Sequence, residues 1–112
     1  MSHKGAPFVA DADIPWTEVG GGIRRKVLCY NDGIMLVRVE FEAGSVGAAH
    51  RHPHVQCSVV ESGVFDVTIG GTTRRLQAGD SYLVPGDVQH GAVVLEAGVL
   101  VDVFTPKRDD LA

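Results

Sequence analysis

Four potential metal ligands sit in a regular frame of glycines. The first part reads Gly44-x5-His50-x-His52-x3-Gln56-x6-Gly63, and the second Gly79-x5-Pro85-x4-His90. Imidazole nitrogens bind divalent transition metals at roughly 2.0–2.1 Å. Side chains two apart on an extended chain face the same way, about 7 Å apart. His50 and His52 are therefore expected on one face of a strand. Pro53 lets the chain bend before Gln56. His90 arrives from a distant segment, so the site closes only when the fold does. The expectation is one divalent ion held by His50, His52, Gln56 and His90. The ligand types accept nickel, iron, zinc, manganese or copper alike. His54 shares the parity of the pair but follows Pro53, and its role stays open. His3, near the chain start, is expected to be solvated.

Three imidazoles and an amide are all neutral, so a bound divalent ion would keep its full formal charge. Such a site favours Lewis-acid work on carboxylates or enolates over holding a metal through a higher oxidation state.

The elements that must position these residues follow a period of two. Met35, Val37, Val39 and Phe41 alternate, as do Phe65, Val67 and Ile69 ahead of a Gly70-Gly71 turn. Ser81–Val84 ends at Pro85-Gly86, and two strands, 89–95 and 99–104, are expected to flank Glu96-Ala97-Gly98. Strand after strand with short turns predicts an all-β barrel or jelly roll. Whether the first 20 or so residues and the tail from Lys107 are ordered stays open at this point.

In the last strand, Val99, Val101 and Val103 share one face and Leu100, Asp102 and Phe104 the other. A carboxylate is costly to bury without partners, so periodicity alone favours Asp102 facing solvent.

A chain of 112 residues with 45% hydrophobic and 21% charged residues is expected to form a single folded domain, 1–112, with its metal-site core at about 34–104. The formal net charge of −4 and the lack of a basic tail argue against nucleic acid. Attraction for an anion must then be local. No apolar run reaches the roughly 18 residues of a membrane span, and the N-terminus lacks a signal-peptide pattern, so a cytoplasmic location is expected. Cys29 and Cys57 are read as buried thiols, with Cys57 facing away from the metal as part of the core.

The His/Gly/Pro frame resembles the two cupin motifs over residues 34 to 104. Gln56 stands where cupins usually carry Glu, Asp87 where they carry Gly, and Val94 where they carry Asn. A narrower resemblance spans nearly the whole chain. Ile14-Pro15-Trp16, Gly20-Gly21-Gly22, Arg25-Lys26-Val27-Leu28, His50 to Gln56 and Leu100 to Arg108 resemble the KdgF family, small single-domain cupins in which Gln at this ligand position is usual. The resemblance implies a small cupin β-barrel and ring opening and ketonisation of 4,5-unsaturated monouronates in pectin or alginate breakdown. It places the metal ligands on His50, His52, Gln56 and His90, and an acid/base carboxylate on Asp102, reversing the solvent-facing reading. Phe104 becomes an apolar wall, and Arg108 a fork for the substrate carboxylate. The substrate would be a small anionic sugar acid, and analogy with small cupins implies a homodimer. Two other readings fit the three-His frame: an iron-dependent cupin dioxygenase, disfavoured by the missing carboxylate ligand, and a non-catalytic sugar-acid-binding cupin.

Overall fold

Eight strands and one short 3-10 turn, Asp11–Asp13, make up the regular structure of the computed structural model, which describes residues 2–112. The strands are β1 (Thr17–Gly20), β2 (Ile23–Tyr30), β3 (Met35–Phe41), β4 (Val46–His50), β5 (Val55–Ile69), β6 (Thr72–Gln77), β7 (Ser81–Val84) and β8 (His90–Thr105). All pairings are antiparallel, in the order β1-β2-β3-β8-β5-β6, with β4 on β8 and β7 on β5. This is the expected all-β jelly roll.

β5 and β8 are long because each serves two layers. The first half of β5 pairs with β7 and the second half of β8, which also pairs with β3. The second half of β5 pairs with β6 and the first half of β8, which also pairs with β4. The chain was expected to break at Glu96-Ala97-Gly98, but β8 runs straight through. Its bend is made by contact between two glycines. A Cβ on Gly98 would lie 2.1 Å from the Ser62 carbonyl oxygen, and one on Gly63, at φ +87, would lie 2.7 Å from the Gly98 Cα. Register shifts between Val60 and Phe65 take up the bend. The alternation on either side is therefore correct, while the turn between is a bulged corner.

Between the layers, Phe41, Val60, Phe65, Val67, Val94 and Leu100 form one buried cluster, in which the Phe41 and Phe65 rings meet edge to face at 5.3 Å. Tyr30, Met35, Val37 and Phe104 form a second.

The terminal segments, whose order the sequence left open, are anchored to the sheet. Lys26, buried on the outer face of β2, donates to the Asp11 carbonyl (3.0 Å) and carboxylate (3.2 Å) and lies 4.5 Å from the Trp16 ring centre. His3 is not simply solvated. Its Nε2 lies 2.9 Å from the Val27 and Leu28 carbonyls, and its ring packs edge-on against Tyr30. The tail turns back at Arg108, where the Leu111 N–H donates to the Arg108 carbonyl (3.1 Å), and Leu111 packs on the second cluster. Cys57 faces away from the site as expected, but its side is exposed, so it is not a core thiol. Both cysteines are free, and Cys29, also expected to be buried, is only half-buried.

Candidate metal centre

Two strand ends and one loop deliver the histidines. His50 closes β4 and His90 opens β8, directly paired with it. His52 lies beyond β4 in the loop 51–54, so it does not share a strand face with His50 as parity suggested. That loop is held by the turn before β8. The Asp87 N–H donates to the His52 carbonyl (2.7 Å), and a Cβ on Gly86 would come within 2.6 Å of the Pro53 carbonyl oxygen. Asp87 itself adopts φ 62, the left-handed geometry expected of a Gly at this motif position. Asp is among the few side chains that tolerate it.

The His50, His52 and His90 ligand atoms all lie within 4.8 Å of one another. In each ring Nδ1 faces a backbone carbonyl at 3.0 Å, those of Ala48, His54 and Val88 respectively. With Nδ1–H donating there, each Nε2 presents a lone pair, the arrangement that orients a metal-binding imidazole. The His90 Nε2 is buried without any partner. The His52 Nε2 faces Gln56 Oε1 at 3.2 Å, so two acceptors converge where a shared cation would satisfy both. Burial lowers the pKa of both His52 and His90, favouring the neutral, ligating form. These observations fit a divalent metal. His54 stays outside the group and instead contacts the Lys107 carbonyl through Nε2 at 3.2 Å.

Gln56 opens a buried chain of hydrogen bonds. Its Nε2 donates to Ser58 Oγ (3.0 Å), and Ser58 Oγ donates to Asp102 Oδ1 (2.6 Å). Asp102 is buried on the inner face of β8, between Leu100 and Phe104. Burial pushes its carboxyl up to about 6, against the opposing pull of Ser58 and Arg108. Tyr82 is raised as well, by burial first and by the Asp102 charge second.

These groups surround a cavity of about 130 Å³ whose walls include His50, Gln56, Tyr82, His90, Asp102 and Phe104. A wider cavity of about 290 Å³ shares His50, Asp102, Phe104 and Arg108 and adds Arg25, Asp110 and Leu111. The Arg108 guanidinium lies 5.1 Å from the Phe104 ring centre. Its fork is already engaged, with Nε and Nη2 donating to the Asp110 carboxylate at 3.2 and 2.7 Å. Burial works to raise the Asp110 pKa, but Arg108 outweighs it and holds the carboxyl below its usual range.

The sequence reading missed Ser58, Tyr82, Arg25 and Asp110. Parity was a usable signal for one of them, since Ser58 is two residues from Gln56. Arg25 is placed by its pairing with Val39 across the β2–β3 register. Tyr82 lies opposite Ser58 in the β5–β7 register, which is visible only in three dimensions. Asp110 carried no signal.

Comparison with known proteins agrees with this fold. Residues 37–104 match the Cupin domain family. The chain is 43% identical over 105 residues to the pectin degradation protein KdgF of Dickeya dadantii, covering 92% of this chain and 96% of that protein. The KdgF structure from Halomonas sp. superposes with a TM-score of 0.90 at 38% identity, over 94% of this chain and 97% of that one. An RmlC-like cupin from Shewanella frigidimarina gives a TM-score of 0.95 at 37% identity, over 99% and 100% of the two chains. With the histidine frame, the jelly roll and these relatives in agreement, the chain belongs to the cupin family and, within it, to the KdgF proteins.

Proposed function

We propose that the protein is a metal-dependent enzyme that opens and ketonises 4,5-unsaturated monouronates released from pectin, with His50, His52, Gln56 and His90 as metal ligands. The observation that carries this reading is the buried Asp102 carboxyl, raised above its usual range by burial, in the same small cavity as His50, His90 and Gln56. A bound divalent ion would supply positive charge for the substrate oxygens and for the negative charge that develops as the ring opens.

The reaction is an isomerisation. The cyclic substrate is both a hemiacetal and an enol ether. Asp102, ionised at neutral pH, takes the proton of the hemiacetal hydroxyl. The ring C–O bond breaks as the aldehyde carbonyl forms, and the electron pair passes to the enol oxygen. The proton is returned to the alkene carbon, which becomes saturated, and the neighbouring carbon becomes a ketone. No electrons enter or leave. A general acid/base of this kind contributes about 10²–10⁴-fold, most when its pKa lies near the working pH.

Phe104, edge-on to His52 at 5.7 Å, is the apolar wall. Arg108 adds positive charge beside it, with its fork braced by Asp110. Arg25 also lines the wider cavity, and among the described residues it has no acidic partner. It is the open guanidinium for the substrate carboxylate.

The test is to add metal-loaded protein to unsaturated galacturonate and follow the conjugated alkene's ultraviolet absorbance. Loss well above the spontaneous rate is expected. No acceleration with any of nickel, iron, zinc, manganese or copper would overturn the proposal.

A further inference from the structure

We infer that Ser58 is a positioning residue that sets which atom of Gln56 faces the metal and ties that ligand to Asp102. The inference rests on the metal-ligand reading of Gln56 and extends it to a residue that touches neither metal nor substrate. Ser58 is almost fully buried at 2% exposure, and its hydroxyl lies between Gln56 Nε2 (3.0 Å) and Asp102 Oδ1 (2.6 Å).

The direction of these bonds matters. A hydroxyl has one proton to give. The buried Asp102 carboxylate can only accept, so it takes that proton. The Ser58 oxygen is then an acceptor toward residue 56, and the group facing it must donate. Gln56 can donate through its amide N–H₂, which turns Oε1 toward the His52 Nε2. A Glu at this position would offer a second acceptor to an oxygen with no proton left. The chain of bonds therefore explains why a neutral amide occupies the fourth ligand position. It also links the metal ligand set to the proposed acid/base group through a buried hydroxyl, beside which Tyr82 hydrogen-bonds to both Ser58 and Gln56.

Without Ser58 the amide nitrogen loses the acceptor that fixes it, and the amide can flip and point that nitrogen at the metal. Losing such an outer partner typically costs about 10–100-fold in metal affinity. The experiment is calorimetric titration of metal-free protein with zinc or nickel for wild type, Ser58→Ala, Gln56→Ala and the double variant. Circular dichroism of the metal-free forms checks folding.

Ser58→Ala is expected to fold and to bind metal at least ~10-fold more weakly. Because Ser58 acts through Gln56, the double variant should bind no more weakly than Gln56→Ala alone. Ser58→Cys, a weaker hydrogen-bonding group of similar shape, should fall between Ser58→Ala and wild type, and it stands in should the alanine variant fail to fold. Wild-type affinity in Ser58→Ala, or additive losses in the double variant, would overturn the inference. Failure of the wild-type protein to bind metal would instead overturn the ligand assignment on which it rests.

Discussion

At the scale of single residues, Asp102 carries the sharpest consequences. Asp102→Asn keeps an oxygen for the Ser58 hydroxyl but cannot exchange a proton. Turnover of unsaturated galacturonate is expected to fall at least ~10²-fold, the low end for losing a general acid/base, with metal binding retained. Near-normal turnover would remove Asp102 from the mechanism. The same variant has a stability signature. The Asp102 carboxyl is raised from 3.8 to about 6 on folding, so the folded state binds the proton more tightly. Its contribution is fully present below about pH 4 and is lost as pH rises through 6. The loss amounts to roughly 3 kcal/mol. In metal-free protein, Asp102→Asn should therefore gain stability relative to wild type between pH 4 and 7, as followed by urea unfolding. A flat difference across that range would mean the carboxyl is not held up by burial. Arg25→Gln probes the open guanidinium. A charge-assisted bond of about 1.5–3 kcal/mol predicts a KM raised ~10-fold or more with kcat little changed. An unchanged KM would place the substrate carboxylate elsewhere.

At the scale of elements, the site depends on the corner where β5 and β8 bend together. His90 begins β8 and Asp102 lies in its second half, so the angle at Gly98 sets where both groups stand. A methyl group on Gly98 has no room, since its Cβ would meet backbone rather than a movable side chain. Gly98→Ala is expected to cost about 3 kcal/mol, the upper end of ordinary overpacking. For a domain of this size that lowers Tm by roughly 10–20 °C, measurable by thermal circular dichroism. A wild-type Tm would mean that the two strands can slide apart without penalty. The Pro85–Val88 turn has a comparable role, since the Asp87 N–H and the close approach of Gly86 seat the loop that carries His52.

At the scale of the whole molecule, the proposed ligand set gathers the end of β4, the following loop, the start of β5 and the start of β8. A metal bound there would clip together segments that are distant in sequence. Binding to the folded state alone stabilises by about 2.7 kcal/mol when free metal is 100 times the dissociation constant. Chelation should therefore lower Tm, re-addition should restore it, and His90→Ala should abolish the difference. A Tm indifferent to metal and chelator would argue against a site that closes across these strands. The formal net charge of −4 means that the proposed attraction for an anionic sugar would have to be local, from a bound metal, Arg25 and Arg108. None of the helices is long and apolar enough to cross a membrane among the described residues.

The division between what was legible and what was not follows the range of the forces involved. Strand alternation is local. It predicted the all-β fold, the inward faces of β3 and β5, and the separation of Leu100, Asp102 and Phe104 from Val99, Val101 and Val103 on β8. The ligand types and their glycine frame pointed to His50, His52, Gln56 and His90, because metal chemistry constrains residue type strongly. Which side of β8 is covered is not local. β3 and β5 flank it on both edges and the layers close over one face, so periodicity could not decide that Asp102 is buried; the family resemblance anticipated it, and the tertiary structure supplies the physical reason. The same holds for the Ser58 hydroxyl between Gln56 and Asp102, and for the Asp110 carboxylate that takes the Arg108 fork. A hydrogen bond across strands depends on register, and register is set by the whole sheet. Only the folded molecule could determine which polar groups meet inside it.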